Sequence, residues 1–246
     1  MYYPYSYGIN MEYLIYAVIP MMICMWAQYK VKSAYKKYSQ IRVSGNVSGA
    51  EAARRMLDAH GLYDIQIQEV RGTLSDHYDP VHRVLRLSQE VYEVPSIAAV
   101  SVACHEAGHA YQHAEKYFPL SIRTALVPVV NIGAKAGPLL IMIGFFVMSL
   151  LGSQLGTSMM KIGFFGFILT TLFSLVTLPV EFNATNRGKE WLNRSGIIVE
   201  SEQDSVSEML SAAAMTYVSS TIQSIATMLY YASMLGIGRD RDNRRR

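Results

Sequence analysis

The chain has 246 residues, 51% of them hydrophobic, with a formal net charge of +3 and 2 cysteines. That length holds one sizeable domain plus membrane segments, and a mean hydropathy of +0.15 is too high for an ordinary soluble protein and too low for a pure membrane bundle. The small charge gives no footing for nucleic-acid binding, and Cys24 and Cys104 lack partners at metal-site spacing, which predicts no structural disulfide.

Residues 1–10 read as an N-terminal tail whose tyrosines favour a membrane–water boundary. Residues 13–27 are apolar and uncharged. Extended to residues 11–29, the run is just long enough for a first transmembrane helix, with a kink expected at Pro20. A signal peptide fits less well, because no basic residue precedes the run and no small-residue cleavage site follows. Lys30, Lys32, Lys36, Lys37 and Arg42 come next, and the positive-inside rule puts them in the cytoplasm.

Residues 30–132 then read as a cytoplasmic region. Ser48 and Glu51 form a capping box for a helix ending at Gly61. Residues 65–70 and 84–87 alternate apolar and polar side chains and predict two short strands. Between them, residues 72–80 are turn-rich and hold Asp76, His77 and Asp79. Pro95 and Ser96 punctuate the entry to a helix over residues 96–116.

That helix carries His105-Glu106-Ala107-Gly108-His109. Residues four apart share a helix face, so His105 and His109 present two imidazoles to one point, as a tetrahedral metal ion requires. Glu106 is placed to take a proton from a metal-bound water. The bland alternative is a helix with two surface or capped histidines.

Residues 133–180 predict a transmembrane hairpin. Its spans cover residues 136–151 and 162–180, joined by the charge-free residues 152–160. Residues 181–208 carry Arg187, Lys189 and Arg194 and return to the cytoplasmic side. Residues 209–238 hold no charge and predict a core helix running into a fourth membrane helix. Residues 239–246 form a basic tail.

A catalytic zinc takes three protein ligands and one water. His113 lies about 12 Å along the helix axis from His105, which places it poorly. Glu181 is better placed: it follows Pro179 at the cytoplasmic end of a predicted span, where a bare carboxylate demands an explanation. The competing account is an interfacial glutamate at a helix start, favourable to the helix dipole.

Leu178-Pro-Val-Glu-Phe-Asn-Ala-Thr185, His105-Glu-Ala-Gly-His109, Asp76-His-Tyr-Asp-Pro80 and Ala27-Gln-Tyr-Lys-Val-Lys-Ser33 together resemble the YugP family of bacterial membrane zinc metallopeptidases. More distantly the chain is similar to HtpX-type membrane proteases. The resemblance implies that His105, His109 and Glu181 bind one zinc ion per chain and that Glu106 is the general base. It implies a mainly α membrane protein with a small α+β element, a zincin-like core of the gluzincin type and three to four transmembrane helices. It also implies a protein of the bacterial cell membrane with a peptide or membrane-protein substrate, and the apolar spans and charge distribution make it multi-pass with its site on the cytoplasmic side. Thr185 and Asn186 stand where the family has serine and a first arginine. Asn183 and Thr185 are candidates to orient a ligand, and Arg187 or His77 could steady an oxyanion. By the same resemblance, residues 84–87 would line the cleft with a free strand edge for an extended peptide.

Two other readings stay open. One is a non-catalytic membrane scaffold with a structural or vestigial zinc site, which has no need of Glu106. The other is an intramembrane protease, disfavoured because Ser101, Gln112, His113, Glu115 and Lys116 make residues 96–116 too polar to span.

Overall fold

The computed structural model describes residues 11–237. The two tails read from the sequence lie outside them. Helix α1 (Met11–Tyr13) leads through a π-helical turn, Leu14–Val18, into α2 (Ile19–Tyr38). The wide turn lies immediately before Pro20, and the Ile19 N–H reaches back five residues to the Leu14 carbonyl. Proline removes one helical donor and crowds the carbonyl four residues back, so the chain widens there instead of breaking.

Helix α3 (Gly49–Ala59) starts where Ser48 accepts a hydrogen bond from the Glu51 N–H. Only half of the expected capping box forms this way, because the Glu51 carboxylate accepts from Arg55 instead. Three strands follow: β1 (Gln66–Val70), β2 (His77–Asp79) and β3 (Val84–Ser88), in the spatial order β1-β3-β2. β3 pairs parallel with β1 and antiparallel with β2.

Two expectations are corrected here. The stretch read as turn contains β2, and residues 84–87 have no free edge. With a neighbour on each side, β3 is the inner strand, and Val84, Leu85, Leu87 and Ser88 are all buried. The strand left at the edge, next to the metal helix, is β2.

A short α4 (Gln89–Glu93) precedes α5 (Ile97–Ala114), which is capped by Ser96 accepting from the Ala99 N–H. Then come α6 (Phe118–Leu151), α7 (Gln154–Ser195), a 3-10 turn at Glu200–Glu202 and α8 (Gln203–Met234). The hairpin connection is only Gly152 and Ser153, much shorter than expected. α7 runs on through Pro179 and Glu181 to Ser195, so Glu181 sits inside a helix. Its carboxylate is therefore not explained by a helix start.

Among the described residues, three helices are long and apolar enough to cross a membrane: Met11–Tyr38, Phe118–Leu151 and Gln154–Ser195. The expected fourth span is not among them; α8 is one unbroken helix.

The fold divides into two units. One joins residues 27–124 and 176–218; the other takes residues 11–26, 125–175 and 219–237. In the first unit, α3, β3, α4, α5 and the starts of α7's tail and α8 share one core, including Met56, Leu57, Leu85, Leu87, Ile97 and Leu192. In the second, α6 and α7 meet through glycines. A Cβ on Gly166 would lie 2.6 Å from the Gly133 carbonyl oxygen, and one on Gly144 would lie 2.6 Å from that of Gly156. Such close backbone approach is the usual way for membrane helices to pack without a hydrophobic drive between them.

Candidate metal centre

The centre belongs to the first unit and is set by the antiparallel crossing of α5 and α7. Small residues allow the two backbones to approach closely. A Cβ on Gly108 would stand 2.7 Å from the Ala184 carbonyl oxygen, and one on Gly188 would stand 2.9 Å from the Cys104 backbone. Glycine is needed at both positions for steric reasons, and the result is that Glu181 faces His105 and His109.

Nε2 of His105 and Nε2 of His109 each lie 3.3 Å from Oε2 of Glu181. The imidazoles are 12% exposed and the carboxylate 2%. The three ligand atoms lie within 4.8 Å of one another. A tetrahedron with arms of about 2.0–2.1 Å has edges of about 3.3–3.4 Å, so the two imidazole–carboxylate spacings suit a zinc-sized ion. Glu181 Oε2 is buried and has no hydrogen-bond partner. A buried carboxylate oxygen without a donor is costly, and a cation between it and the two imidazoles removes that cost. The residues therefore fit the metal that the motif implies.

The ring nitrogens facing away from this point are also held. His109 Nδ1 lies 3.0 Å from Gln112 Oε1. Gln112 Nε2 donates to the Val180 carbonyl at 2.8 Å and to Asn183 Oδ1 at 2.9 Å. Asn183 Oδ1 also accepts from Arg187 Nε at 2.8 Å, which fixes it as the oxygen. The Gln112 amide thus has one orientation, its oxygen faces the ring, and His109 carries its proton on Nδ1. That leaves the Nε2 lone pair for a metal. Thr185 Oγ1 lies 3.2 Å from His105 Nδ1 and holds the outer edge of the other imidazole.

Glu106 is turned toward the sheet. Its Oε2 accepts from the Tyr78 backbone N–H of β2 at 3.1 Å. Burial pushes its carboxyl above the ordinary range; the two imidazoles oppose that shift and Glu181 adds to it. Tyr78 OH shares a 3.0 Å hydrogen bond with His113 Nδ1, so His113 supports the strand and is not a ligand.

Of the other sequence-predicted residues, Thr185 reaches His105 directly, whereas Asn183 touches Gln112 and Arg187 and no member of the cluster. Arg187 does not join the cluster. It spends its donors on Asn183 and on Glu115 at 2.7 Å, and its guanidinium lies over the Tyr111 ring. His77 is exposed, with Nδ1 2.8 Å from the Ser75 carbonyl. Neither is a member of the His105–His109–Glu181 cluster.

Sequence reasoning missed three residues. Gln112 is fully buried. Arg123 Nη1 lies 3.1 Å from Glu181 Oε1. Tyr217 hydrogen-bonds Glu181; burial first, then the Glu181 and Glu106 charges, push its phenol up. A lone arginine beside an apolar run was the one legible signal among them.

The sequence model of a family described as "Putative neutral zinc metallopeptidase" matches residues 13–236. The chain is 44% identical over 230 residues to "Putative membrane protease YugP" of Bacillus subtilis (strain 168), an alignment covering 94% of this chain and 99% of that protein. No solved structure matches.

Proposed function

The chain belongs to the neutral zinc metallopeptidase family, and from that premise we propose that it is a membrane-embedded zinc endopeptidase. His105, His109 and Glu181 hold one zinc ion, and Glu106 is the general base. The observation that carries this reading is the buried, unpartnered Oε2 of Glu181 at 3.3 Å from two Nε2 atoms.

Zinc supplies a Lewis acid for the scissile carbonyl and brings the pKa of a bound water to about 7. The chain's own residues do the rest. Gln112 holds His109 with its Nε2 lone pair turned inward, and Thr185 steadies the His105 ring from its Nδ1 side. Glu106 takes the proton of the attacking water and passes it to the leaving amine. The Tyr78 N–H keeps that carboxylate aimed. For the oxygen that turns negative we assign Tyr217, a neutral phenol that keeps its proton beside two carboxylates.

An extended substrate peptide would pair with the edge strand β2, whose Tyr78 N–H points away from β3 toward Glu106. Peptides and membrane proteins are the substrate class. We place the protein in the bacterial cell membrane as a multi-pass chain. The cationic runs after residue 29 and after Val180 support a site on the cytoplasmic side. The scaffold reading is disfavoured because a purely structural zinc has no use for a half-buried Glu106 beside the cluster.

The test is Glu106→Gln in purified protein, scored for zinc content and for digestion of casein or a membrane protein. Zinc stays bound and turnover falls by about 10²–10⁴-fold on this account. Undiminished proteolysis contradicts it.

A further inference from the structure

The two oxygens of the Glu181 carboxylate have different neighbours. Oε2 faces the two imidazole Nε2 atoms and has no donor. Oε1 lies 3.1 Å from Nη1 of Arg123 on the first turns of α6. The arginine side chain is 30% exposed and the glutamate side chain 2%, so the glutamate is the closed end of the pair.

We propose that Arg123 is a positioning residue that makes Glu181 a one-oxygen ligand. The inference rests on the zinc-site reading above and deepens it. A carboxylate with both oxygens free can chelate a divalent cation through both. At a catalytic zinc that would fill the position a reacting water needs, because three protein ligands and one open position make the working set. A guanidinium is charged at every working pH and binds carboxylate oxygens strongly. By claiming Oε1, Arg123 leaves Oε2 alone to face the metal. Its charge also offsets the crowding of two carboxylates, the half-buried Glu106 and the buried Glu181, around one point. The Tyr217 phenol hydrogen-bonds the same carboxylate, but it carries no charge, so it cannot supply this part of the balance.

The test uses the full chain in detergent, loaded with cobalt(II) in place of zinc. The visible bands of cobalt(II) are strong in four-coordinate tetrahedral sites and weak in five- or six-coordinate ones, so they report ligand number without any assay of activity. The wild type gives the strong, four-coordinate spectrum. Arg123→Met weakens the bands several-fold as Glu181 turns to bind through both oxygens. Cobalt affinity, read by chelator competition, falls by about 10-fold, the low end for loss of a group supporting a metal ligand. Arg123→Lys keeps a cation at Oε1 and keeps the strong bands. Arg123→Gln preserves the side-chain stem and one donor, so it covers the case in which the methionine variant does not fold. It keeps the strong bands and loses affinity. Wild-type spectrum and affinity in the folded Met and Gln variants overturn the proposal while leaving the metal site intact. A wild-type chain that takes up no cobalt overturns both the proposal and the zinc-site reading.

Discussion

Gln112 Oε1 faces His109 Nδ1 at 3.0 Å, while the amide nitrogen of the same side chain is committed to Val180 and Asn183 on the opposite helix. One fully buried amide thus ties the tautomer of an imidazole to the position of α7. Gln112→Ala removes both functions. We expect metal affinity to drop by about 10–100-fold, measured by chelator competition. The loss should exceed that of Gln112→Glu, which keeps an acceptor for the ring but loses the donor to Val180.

The crossing of the two helices is a second point of leverage. Gly108 sits where a Cβ would come within 2.7 Å of the Ala184 carbonyl oxygen, a backbone atom that cannot swing aside. Gly108→Ala forces the helices apart. The expected cost is about 1–3 kcal/mol of stability, the range for overpacking a tight core, with a matching loss of bound zinc because Glu181 retreats with α7. Thermal melts and zinc content on the same preparation check both. A variant as stable and as zinc-loaded as the wild type would show that the contact is softer than its geometry.

Tyr217 reaches the Glu181 carboxylate from α8. As the donor to the developing oxyanion, its loss acts on the chemical step and spares ground-state binding. Tyr217→Phe should lower kcat by about 10²–10³-fold, with KM and zinc content near their wild-type values. Steady-state kinetics on a defined peptide distinguish this from a structural role, in which zinc content falls together with rate.

Much of the site was legible because its information is local. His105 and His109 are four residues apart, and a helix converts that spacing into a shared face whatever surrounds it. Ser96 marks the helix start by chemistry that needs only the next turn. Glu181 carries no such spacing signal; a bare carboxylate after Pro179 at the end of an apolar run and the family resemblance both pointed to it, and the α5–α7 crossing explains how it meets the histidines. The strand β2 was hidden because Asp-His-Tyr-Asp-Pro has turn chemistry. Only the antiparallel pairing of His77–Asp79 with residues 84–86 makes it extended. The same non-local pairing turned β3 from an edge into an inner strand. Gln112 counted only as one of the polar side chains that make residues 96–116 unfit to span a membrane. Its burial depends on acceptors from another helix, which no window of sequence contains. Pro179 looked like a boundary, but α7 passes through it, as membrane helices tolerate where neighbours satisfy the freed backbone.

The central claim is that one carboxylate and two imidazoles from two crossing helices share one ion. Zinc K-edge X-ray absorption on the purified full chain, compared with Glu181→Gln, tests it directly. The account predicts one zinc per chain with two imidazole nitrogens and light oxygen ligands at about 2.0–2.2 Å, and a zinc content that collapses in the variant. A chain that retains zinc with the same imidazole-containing shell after Glu181→Gln, or a wild type whose zinc has no imidazole neighbours, contradicts it.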